Sequence, residues 1–135
     1  MTDYKGLIKK AKDARMHSYS PYSEYKVGAA LLCADGTVYL GTNVENASYG
    51  ETVCAERVAV LKAVSEGKRD LEAIAIVGGK NEICDYAFPC GACRQVLSEF
   101  CKPSLEIVLF DGENIEIRTL GQVFPSAFGK DALQK

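Results

Sequence analysis

The sequence predicts an α/β fold, a three-layer α/β/α arrangement around a mixed five-stranded sheet whose last strand is antiparallel. Patterned segments follow in the order helix, hairpin, helix, strand, helix, strand, strand, which favours helices on both faces of one sheet. Asp35-Gly36 is a tight-turn signal between the first two strands. The link at 111–114 is too short for a crossover helix, so the fifth strand is expected to run antiparallel to the fourth. A length of 135 residues suits a single domain, residues 1–135.

The first half of the chain is predicted to supply one helix and the hairpin. Residues 3–17 carry apolar side chains at helical spacing, and SPYS at 20–23 ends that helix. The segment KVGAALLC at 26–33 is predicted to form a buried strand. TVYLGTNV at 37–44 follows the turn and is predicted to pair with it.

The middle of the chain predicts a helix and then a strand. Thr52 can cap a helix that runs to about Glu66. That helix is apolar on more than one side, so it is expected to be well buried. LEAIAIVGG at 71–79 is the third strand and has a continuous apolar core.

One more helix and two more strands complete the prediction. Pro89 suits the first position of a helix, because its missing N–H has no partner there in any case. Pro103 ends this helix, and LEIVLF at 105–110 forms the fourth strand. IEIRTL at 115–120 forms the fifth.

Composition and charge narrow the classes of function. Hydrophobic residues make up 47% of the chain and charged residues 25%, as in soluble globular proteins. The net charge of −2 gives no basic surface for phosphate backbones. No apolar run approaches the ~20 residues of a membrane span, and the first residues lack the apolar stretch of a secretion signal. We therefore expect a cytoplasmic protein with no nucleic-acid or membrane partner.

Cysteine is abundant and histidine scarce. Disulfides are not expected, because they need an oxidising compartment and no export signal is present. The single histidine, His17, follows a lysine-rich helical segment and is expected at the surface. Any metal site must therefore be built mostly from sulfur or carboxylate. The cysteines are Cys33, Cys54, Cys84, Cys90, Cys93 and Cys101.

Two of the predicted helices begin with cysteine. Cys54 stands at the start of one, and Cys90 and Cys93 lie on one face of the first turn of the other. A right-handed crossover would bring both N-termini to the same edge of the sheet, where the helix dipoles favour thiolates. Three thiolates at one point need a cation, and zinc takes sulfur ligands in tetrahedral geometry. Three protein ligands leave the fourth position for water.

The residues beside these cysteines suggest hydrolytic chemistry. Zinc lowers the pKa of bound water. Glu56 can take a proton from that water and pass it to a substrate atom. Arg57 and Arg94 are expected to donate hydrogen bonds to the sulfurs and to offset their negative charge.

Other interpretations of the same residues stay open at this point. Cys93 alone fits a core thiol, and Glu56 alone fits a solvated acid in a first helical turn. Cys90 and Cys93 alone fit a redox dithiol. With Cys84 as a fourth ligand, the cluster would be a closed structural zinc site that leaves Glu56 without a role. None of these alternatives predicts two helix starts with Cys and Glu together.

The same residues carry a resemblance to a known family. Cys54-Ala55-Glu56 and Pro89-Cys90-Gly91-Ala92-Cys93 match the zinc deaminase signature in its all-cysteine form. The segments SPYSEYKVGAAL, TNVENASYGETVCAERVAV and PCGACRQVLSEF, with the tail VFPSAFGKDALQK, resemble the small homotetrameric cytidine deaminases. The likeness runs from about Ser18 to the end of the chain. It implies the cytidine deaminase-like fold.

The resemblance implies an activity and a catalytic set. The reaction would be zinc-dependent hydrolysis of cytidine and deoxycytidine to the uridines with release of ammonia, in pyrimidine nucleoside salvage. Cys54, Cys90 and Cys93 would hold one Zn²⁺ per chain. Glu56 would be the catalytic acid and base, and Arg57 the charge-compensating arginine.

The resemblance also implies the substrate-binding residues. Asn43 and Glu45 match the pair that binds the ribose 3′-hydroxyl, and the Ala55 N–H would bind the pyrimidine carbonyl. Tyr25 stands where the family commonly has Phe and would stack on the base. In the family's homotetramers, active sites are completed by neighbouring chains. The matching positions here are Ala47, Tyr49 and Phe128.

Two rival substrates and two rival classes remain beside this assignment. Blasticidin-type deaminases share the zinc motif and the chain size. A polynucleotide substrate is disfavoured because the chain has a net negative charge. A structural zinc module would bind the metal without turnover, and a dithiol oxidoreductase would need no metal. Core packing suffices for Cys33 and Cys101, and Cys84 is expected to be structural.

Overall fold

The computed structural model describes residues 2–133 and contains the predicted mixed sheet. Its strands lie in the order β2-β1-β3-β4-β5. β3 and β4 are parallel, and every other neighbouring pair is antiparallel. No helix among these residues is long and apolar enough to cross a bilayer. The elements are α1 Tyr4–Arg15, β1 Lys26–Cys33, β2 Val38–Thr42, α2 Ala55–Ser65, β3 Leu71–Gly79, α3 Gly91–Phe100, β4 Glu106–Phe110, β5 Ile115–Thr119 and α4 Leu120–Val123, with short 3₁₀ turns at Tyr49–Glu51 and Lys130–Ala132.

Helices cover both faces of the sheet, as the sequence predicts. On one face, α1 packs through Leu7, Ile8 and Ala11 against alternate residues of β1, β3 and β4. On the other face, α2 and α3 pack over the remaining set of strand residues, with Val60 and Leu97 fully buried. The central strand β3 is buried along almost its whole length because both faces are covered. The result is the three-layer α/β/α arrangement.

Two glycines let helices approach the strands closely. A Cβ on Gly28 would lie 2.1 Å from the carbonyl oxygen of Ala11, in α1. A Cβ on Gly41 would lie 2.3 Å from the carbonyl oxygen of Ala55 and 2.6 Å from the amide of Ala59, in α2. Since no side chain fits there, the first turn of α2 rests directly on β2. This contact fixes the position of the helix start that carries Cys54.

The predicted cap of α2 is wrong by two residues. The helix begins at Ala55 and its N-cap is Cys54, not Thr52. Val53 and Val44 form an antiparallel bridge with hydrogen bonds of 2.9 and 3.0 Å, which holds the chain extended up to the cysteine. The Thr52 hydroxyl instead accepts a hydrogen bond from the Asn46 amide.

Helix α3 also begins later in the chain than predicted. Cys90 is the N-cap, with extended backbone (φ −68°, ψ 171°), so Pro89 precedes the cap instead of opening the helix. An N-cap residue has non-helical dihedrals by definition. Both helices therefore use a cysteine as the cap, and neither cysteine side chain makes a capping hydrogen bond.

Other differences from the prediction are small. β2 is shorter than the predicted 37–44, because the Asn43 side chain rather than its backbone accepts from the amide of Val27. Helix α4 was not predicted. The pair Thr119 and Gln122 forms a complete capping box at its start, and this Thr-x-x-Gln spacing is a sequence signal for a helix.

Candidate metal centre and active site

Three cysteine sulfurs converge between the N-termini of α2 and α3. The Sγ atoms of Cys54 and Cys90 are 3.7 Å apart, and those of Cys90 and Cys93 are 3.4 Å apart. All three lie within 4.8 Å of one another. Within residues 2–133, no further Cys, His, Asp or Glu joins this group, so the alternative with Cys84 as a fourth ligand is not supported.

The spacing of the sulfurs fits a single zinc ion. Zinc–sulfur bonds of about 2.3 Å in a tetrahedron put two sulfurs about 3.8 Å apart. The observed separations of 3.4 and 3.7 Å are close to this value. The type of ligand also fits, because thiolates at helix N-termini are suitable donors for a borderline-soft cation such as zinc.

The electrostatics of the cluster favour a thiolate at Cys54. The pKa of the Cys54 thiol is lowered to about 5, first by hydrogen bonding from Cys93 and then by hydrogen bonding from Arg57, against the opposing effect of burial. Arg57 Nη2 lies 3.7 Å from Cys54 Sγ and donates as well to the carbonyl oxygen of Thr52, at 3.3 Å. The predicted contact between Arg57 and the sulfurs is therefore present.

Glu56 is a buried carboxyl group beside the sulfurs. Its side chain is only 4% exposed although it lies in the first turn of α2. The pKa of Glu56 is raised to about 7, mainly by burial, and the negative charge of Cys54 acts in the same direction. The interpretation of Glu56 as a solvated first-turn acid is wrong. A carboxyl group with a pKa near neutrality can accept and return a proton at physiological pH.

A cavity of about 450 Å³ opens over these groups, and seven of the predicted site residues line it. Glu56, Cys54 and Cys90 lie at one part of its wall, and Asn43 and Glu45 contribute polar groups. Ala55 also lines the cavity, and as the first residue of α2 it has an N–H without an intrahelical acceptor. The predicted residues on the wall are Tyr25, Asn43, Glu45, Cys54, Ala55, Glu56 and Cys90.

Asn43 holds the loop before β1 as well as facing the cavity. Its Oδ1 accepts hydrogen bonds from the Val27 amide at 3.0 Å and from the Ser18 hydroxyl. Its Nδ2 donates to the carbonyl oxygen of Tyr25 at 2.7 Å. One N–H of the amide group remains for a ligand.

Glu45 binds the same loop through its carboxylate. The amides of Tyr22 and Ser23 donate to its Oε1 at 3.0 and 3.1 Å, and the Ser23 hydroxyl donates to its Oε2. The hydrogen bond from the Ser23 hydroxyl is the main cause that lowers the pKa of Glu45. The carboxylate is therefore ionised and oriented at the cavity wall.

Three predicted substrate-binding residues do not line this cavity. Ala47 and Tyr49 lie in an exposed segment after β2, and the Tyr49 side chain is 76% exposed. Phe128 is 62% exposed in the C-terminal segment. All three were expected to reach a neighbouring chain, and their exposure is compatible with that expectation.

The predicted hydrogen bond from Arg94 to the sulfurs is not formed. Its guanidinium donates instead to two backbone carbonyl oxygens, that of Pro89 at 2.8 Å and that of Val123 at 2.6 Å. The physical reason is that the unpredicted helix α4 presents the carbonyl of its last residue to Arg94. Arg57 thus remains as the arginine in contact with a cluster sulfur.

Sequence reasoning missed seven residues that also line the cavity. Two of them, Tyr86 and Phe88, form an edge-to-face aromatic pair with centroids 6.4 Å apart. Their position immediately before Pro89 and Cys90 was the available signal, because side chains in the loop that delivers a metal ligand border the same site. The missed residues are Ser23, Val27, Thr52, Ile76, Tyr86, Ala87 and Phe88.

Comparison with known proteins agrees with this geometry. Residues 1–109 match the family described as the cytidine and deoxycytidylate deaminase zinc-binding region. The chain is 46% identical to a cytidine deaminase of Sporosarcina psychrophila over 97% of its own length and 95% of that protein. It is 49% identical to a cytidine deaminase of Halalkalibacterium halodurans, over 93% and 94% of the two chains.

A solved structure extends the similarity to the fold. The crystal structure of cytidine deaminase from Burkholderia pseudomallei superposes with a TM-score of 0.86 at 48% identity, covering 95% of this chain and all of the other. The mixed sheet, the paired helix starts and the thiol cluster are thus accompanied by sequence similarity over nearly the full length. The chain belongs to the cytidine and deoxycytidylate deaminase family, and its cysteine cluster fits one zinc ion per chain.

Proposed function

We propose that this protein is a zinc-dependent cytidine deaminase that converts cytidine and 2′-deoxycytidine to the uridines and ammonia in pyrimidine nucleoside salvage. One observation carries the proposal: a buried carboxyl group, Glu56, lines the same cavity as Cys54 and Cys90, two members of the three-sulfur cluster. A structural zinc module has no need of such an acid. The names of the similar proteins support the same reaction.

In this proposal, Cys54, Cys90 and Cys93 hold zinc, which supplies a water of lowered pKa when it is bound. Glu56 accepts the proton of the attacking water and passes it to N3 of the pyrimidine. It then takes the second proton from the same oxygen, now bonded to C4, and gives it to the departing amine. The C4–N bond breaks, ammonia leaves, and the oxygen remains at C4 as a carbonyl. A carboxyl group raised to a pKa of about 7 is matched to transfers in both directions. Arg57 balances the negative charge of the sulfurs.

The cavity offers groups for each part of a nucleoside. Glu45 is an ionised acceptor for the ribose 3′-hydroxyl, and Asn43, which lines the same cavity, has one further N–H to donate. The Ala55 N–H is available for the pyrimidine carbonyl. Tyr25 offers an aromatic face for the base.

The proposed assembly is a cytoplasmic homotetramer of chains in which residues 1–135 form one domain. Ala47, Tyr49 and Phe128 would then reach a neighbouring chain's cavity. The exposure of Tyr49 and Phe128 supports this role, because both side chains are accessible to a neighbouring chain.

The test is turnover of cytidine by the purified protein, followed by ultraviolet absorbance with and without a zinc chelator. We expect deamination that is lost with the chelator and restored by added zinc. A comparison with blasticidin S as substrate separates the two deaminase classes, and a preference for blasticidin S would contradict the proposal. Full deamination by metal-free protein would contradict the role of zinc, and the absence of both zinc and deamination would support the dithiol alternative instead.

A further inference from the structure

The helix that carries two of the cluster cysteines also holds the C-terminal segment. Arg94 directly follows Cys93 in α3, and its guanidinium bridges two carbonyl oxygens. One belongs to Pro89, the residue before Cys90, at 2.8 Å. The other belongs to Val123, the last residue of α4, at 2.6 Å. Arg94 therefore ties the chain just before the first cysteine of α3 to the start of the C-terminal segment.

The next residue along α3 makes a second connection. Gln95 Nε2 donates to the carbonyl oxygen of Phe128 at 2.9 Å. Successive residues of one helical turn thus hold the C-terminal segment at Val123 and again at Phe128. We call residues 123–128 the C-terminal strap.

The strap has few other attachments to the body of the protein. Val123 and Phe124 are half-buried against the core, whereas the residues from 125 to 128 are exposed. Ser126 has a left-handed backbone (φ 55°), which is unfavourable for a residue other than glycine. A cavity of about 250 Å³, with Phe124 and Ala127 on its wall, separates part of the strap from the second half of α3. The hydrogen bonds from α3 therefore matter for where Phe128 lies.

The first turn of α3 carries two of the cluster cysteines and has no side-chain cap. Its N-cap Cys90 makes no side-chain capping hydrogen bond, so the turn lacks the usual stabilisation. A metal ion held by Cys54, Cys90 and Cys93 would connect this turn to α2 and take the place of a cap. Pro89, Arg94 and Gln95 lie on or beside that turn.

We propose that Arg94 and Gln95 are positioning residues that hold the C-terminal strap against the metal-bearing turn of α3, so that zinc binding determines where Phe128 is presented. The inference rests on the proposed function for the zinc site. Zinc would thus influence the strap through Arg94 and Gln95, whose side chains hydrogen-bond to backbone carbonyl oxygens and do not line the cavity. Arg94 acts at the base of the strap, and Gln95 acts at Phe128.

The first experiment measures hydrogen exchange by mass spectrometry in zinc-loaded and chelator-stripped protein, with zinc content determined for each sample. The variant is Gln95→Glu, which keeps the side-chain shape and replaces the N–H donor by an acceptor. The control is Glu99→Gln, an exposed change one turn later on α3. Peptides covering 121–133 report on the strap, and peptides covering 4–15 report on α1.

We expect zinc removal to speed exchange in the strap of the unmodified protein about fivefold, the size of effect that one lost hydrogen bond produces. In Gln95→Glu, the strap should exchange at the faster rate even at one zinc per chain. Glu99→Gln should behave as the unmodified protein does. Equal strap exchange in Gln95→Glu and unmodified protein at equal zinc content would overturn the inference. A uniform increase that includes α1 on zinc removal would overturn it as well, because it would indicate general loosening.

The second experiment measures cytidine kinetics of the zinc-loaded variants. We expect Gln95→Glu to raise KM about fivefold, as expected for one misplaced contact, with kcat changed less than about twofold. Gln95→Lys, which restores a donor of similar reach, should return KM towards its original value. A fall in kcat that parallels lost zinc would contradict a positioning role. If the protein does not deaminate cytidine at all, the proposed function fails, while the exchange experiment still decides the coupling between zinc and strap.

Discussion

Arg57 and Cys54 form a contact within the first turn of α2, with 3.7 Å between Arg57 Nη2 and Cys54 Sγ. The same Nη2 donates to the carbonyl oxygen of Thr52, so the guanidinium links the N-cap sulfur to the chain that precedes it. Arg57 Nε is buried and has no hydrogen-bond partner among residues 2–133. Leaving a buried N–H without a partner is unfavourable, and the positive charge beside Cys54 offsets this cost by neutralising a thiolate.

Replacing this cation should weaken metal binding. Arg57→Gln removes the positive charge and should lower zinc affinity about 10- to 100-fold, the usual effect of losing a group that hydrogen-bonds a metal ligand. Competition with a chromogenic zinc chelator measures the affinity. Arg69→Gln is the control, because the Arg69 guanidinium donates to the backbone carbonyl oxygens of Val64 and Lys68 at the other end of α2. Equal zinc affinity in both variants would show that Arg57 does not contribute to zinc binding.

The carboxyl group of Glu56 should be required for turnover but not for the fold. Glu56→Gln keeps the shape and cannot exchange a proton, so kcat should fall by about 10²- to 10⁴-fold, the contribution of a general acid and base. Zinc content and the thermal unfolding midpoint should remain close to those of the unmodified protein. Glu72→Gln changes an exposed carboxylate of β3 and should leave turnover unchanged. Undiminished deamination in Glu56→Gln would refute the proposed mechanism.

Asn43 should contribute to stability as well as to the cavity. Asn43→Ala removes hydrogen bonds to Val27, Tyr25 and Ser18 from a side chain that is only 8% exposed. Leaving these buried groups without partners should lower the free energy of unfolding by about 2 kcal/mol. Urea unfolding measures this change. Asn46→Ala, at an exposed position nearby, should change it by less than about 0.5 kcal/mol, and a similar effect of both variants would contradict the structural role of Asn43.

The metal cluster was predictable because its determinants are local. Cys54, Glu56, Cys90 and Cys93 stand at helix starts, and the strand between the helices fixes which sheet edge they share. Their convergence follows from the handedness of the β3–α3–β4 crossover. The predicted start of α2 was two residues too early. The bridge between Val44 and Val53 keeps the chain extended up to Cys54, and such a non-local contact cannot be inferred from helix-capping patterns.

The partners of Arg94 were not predictable from its neighbourhood in the chain. The position of Arg94 beside Cys93 suggested a hydrogen bond to sulfur. Its guanidinium donates instead to the carbonyl oxygen of Val123, a residue 29 positions later. Likewise, the aromatic pair Tyr86 and Phe88 enters the cavity through a loop without periodic pattern. Side-chain direction in loops depends on tertiary packing, which overrides local preference.

The ion pair at the first hairpin should make stability depend on pH. Lys68 Nζ lies 2.6 Å from Asp35 Oδ2, and this hydrogen bond holds the pKa of Asp35 well below its usual range. A carboxylate with a depressed folded-state pKa stabilises the fold above its unfolded pKa of about 3.9, and the stabilisation is lost as pH falls below that value. Asp35→Asn should therefore lower the urea midpoint at pH 7, with a difference that shrinks steadily as the pH falls below about 4. Asp70→Asn is the control, because Asp70 is exposed and forms no ion pair with any residue from 2 to 133. A pH-independent effect of Asp35→Asn would contradict the role of the pair.

The ring of Tyr25 should matter for substrate binding more than its hydroxyl group. The side chain lines the cavity, and within residues 2–133 the hydroxyl forms no hydrogen bond with another residue. Tyr25→Phe keeps the aromatic face and should leave KM for cytidine within about twofold, whereas Tyr25→Ala should raise it about tenfold, since base–aromatic stacking contributes roughly 1–3 kcal/mol. Steady-state kinetics at full zinc content separate the two variants. If Tyr25→Phe raises KM as much as Tyr25→Ala does, the hydroxyl group rather than the ring makes the contact, and the stacking role proposed for Tyr25 is wrong.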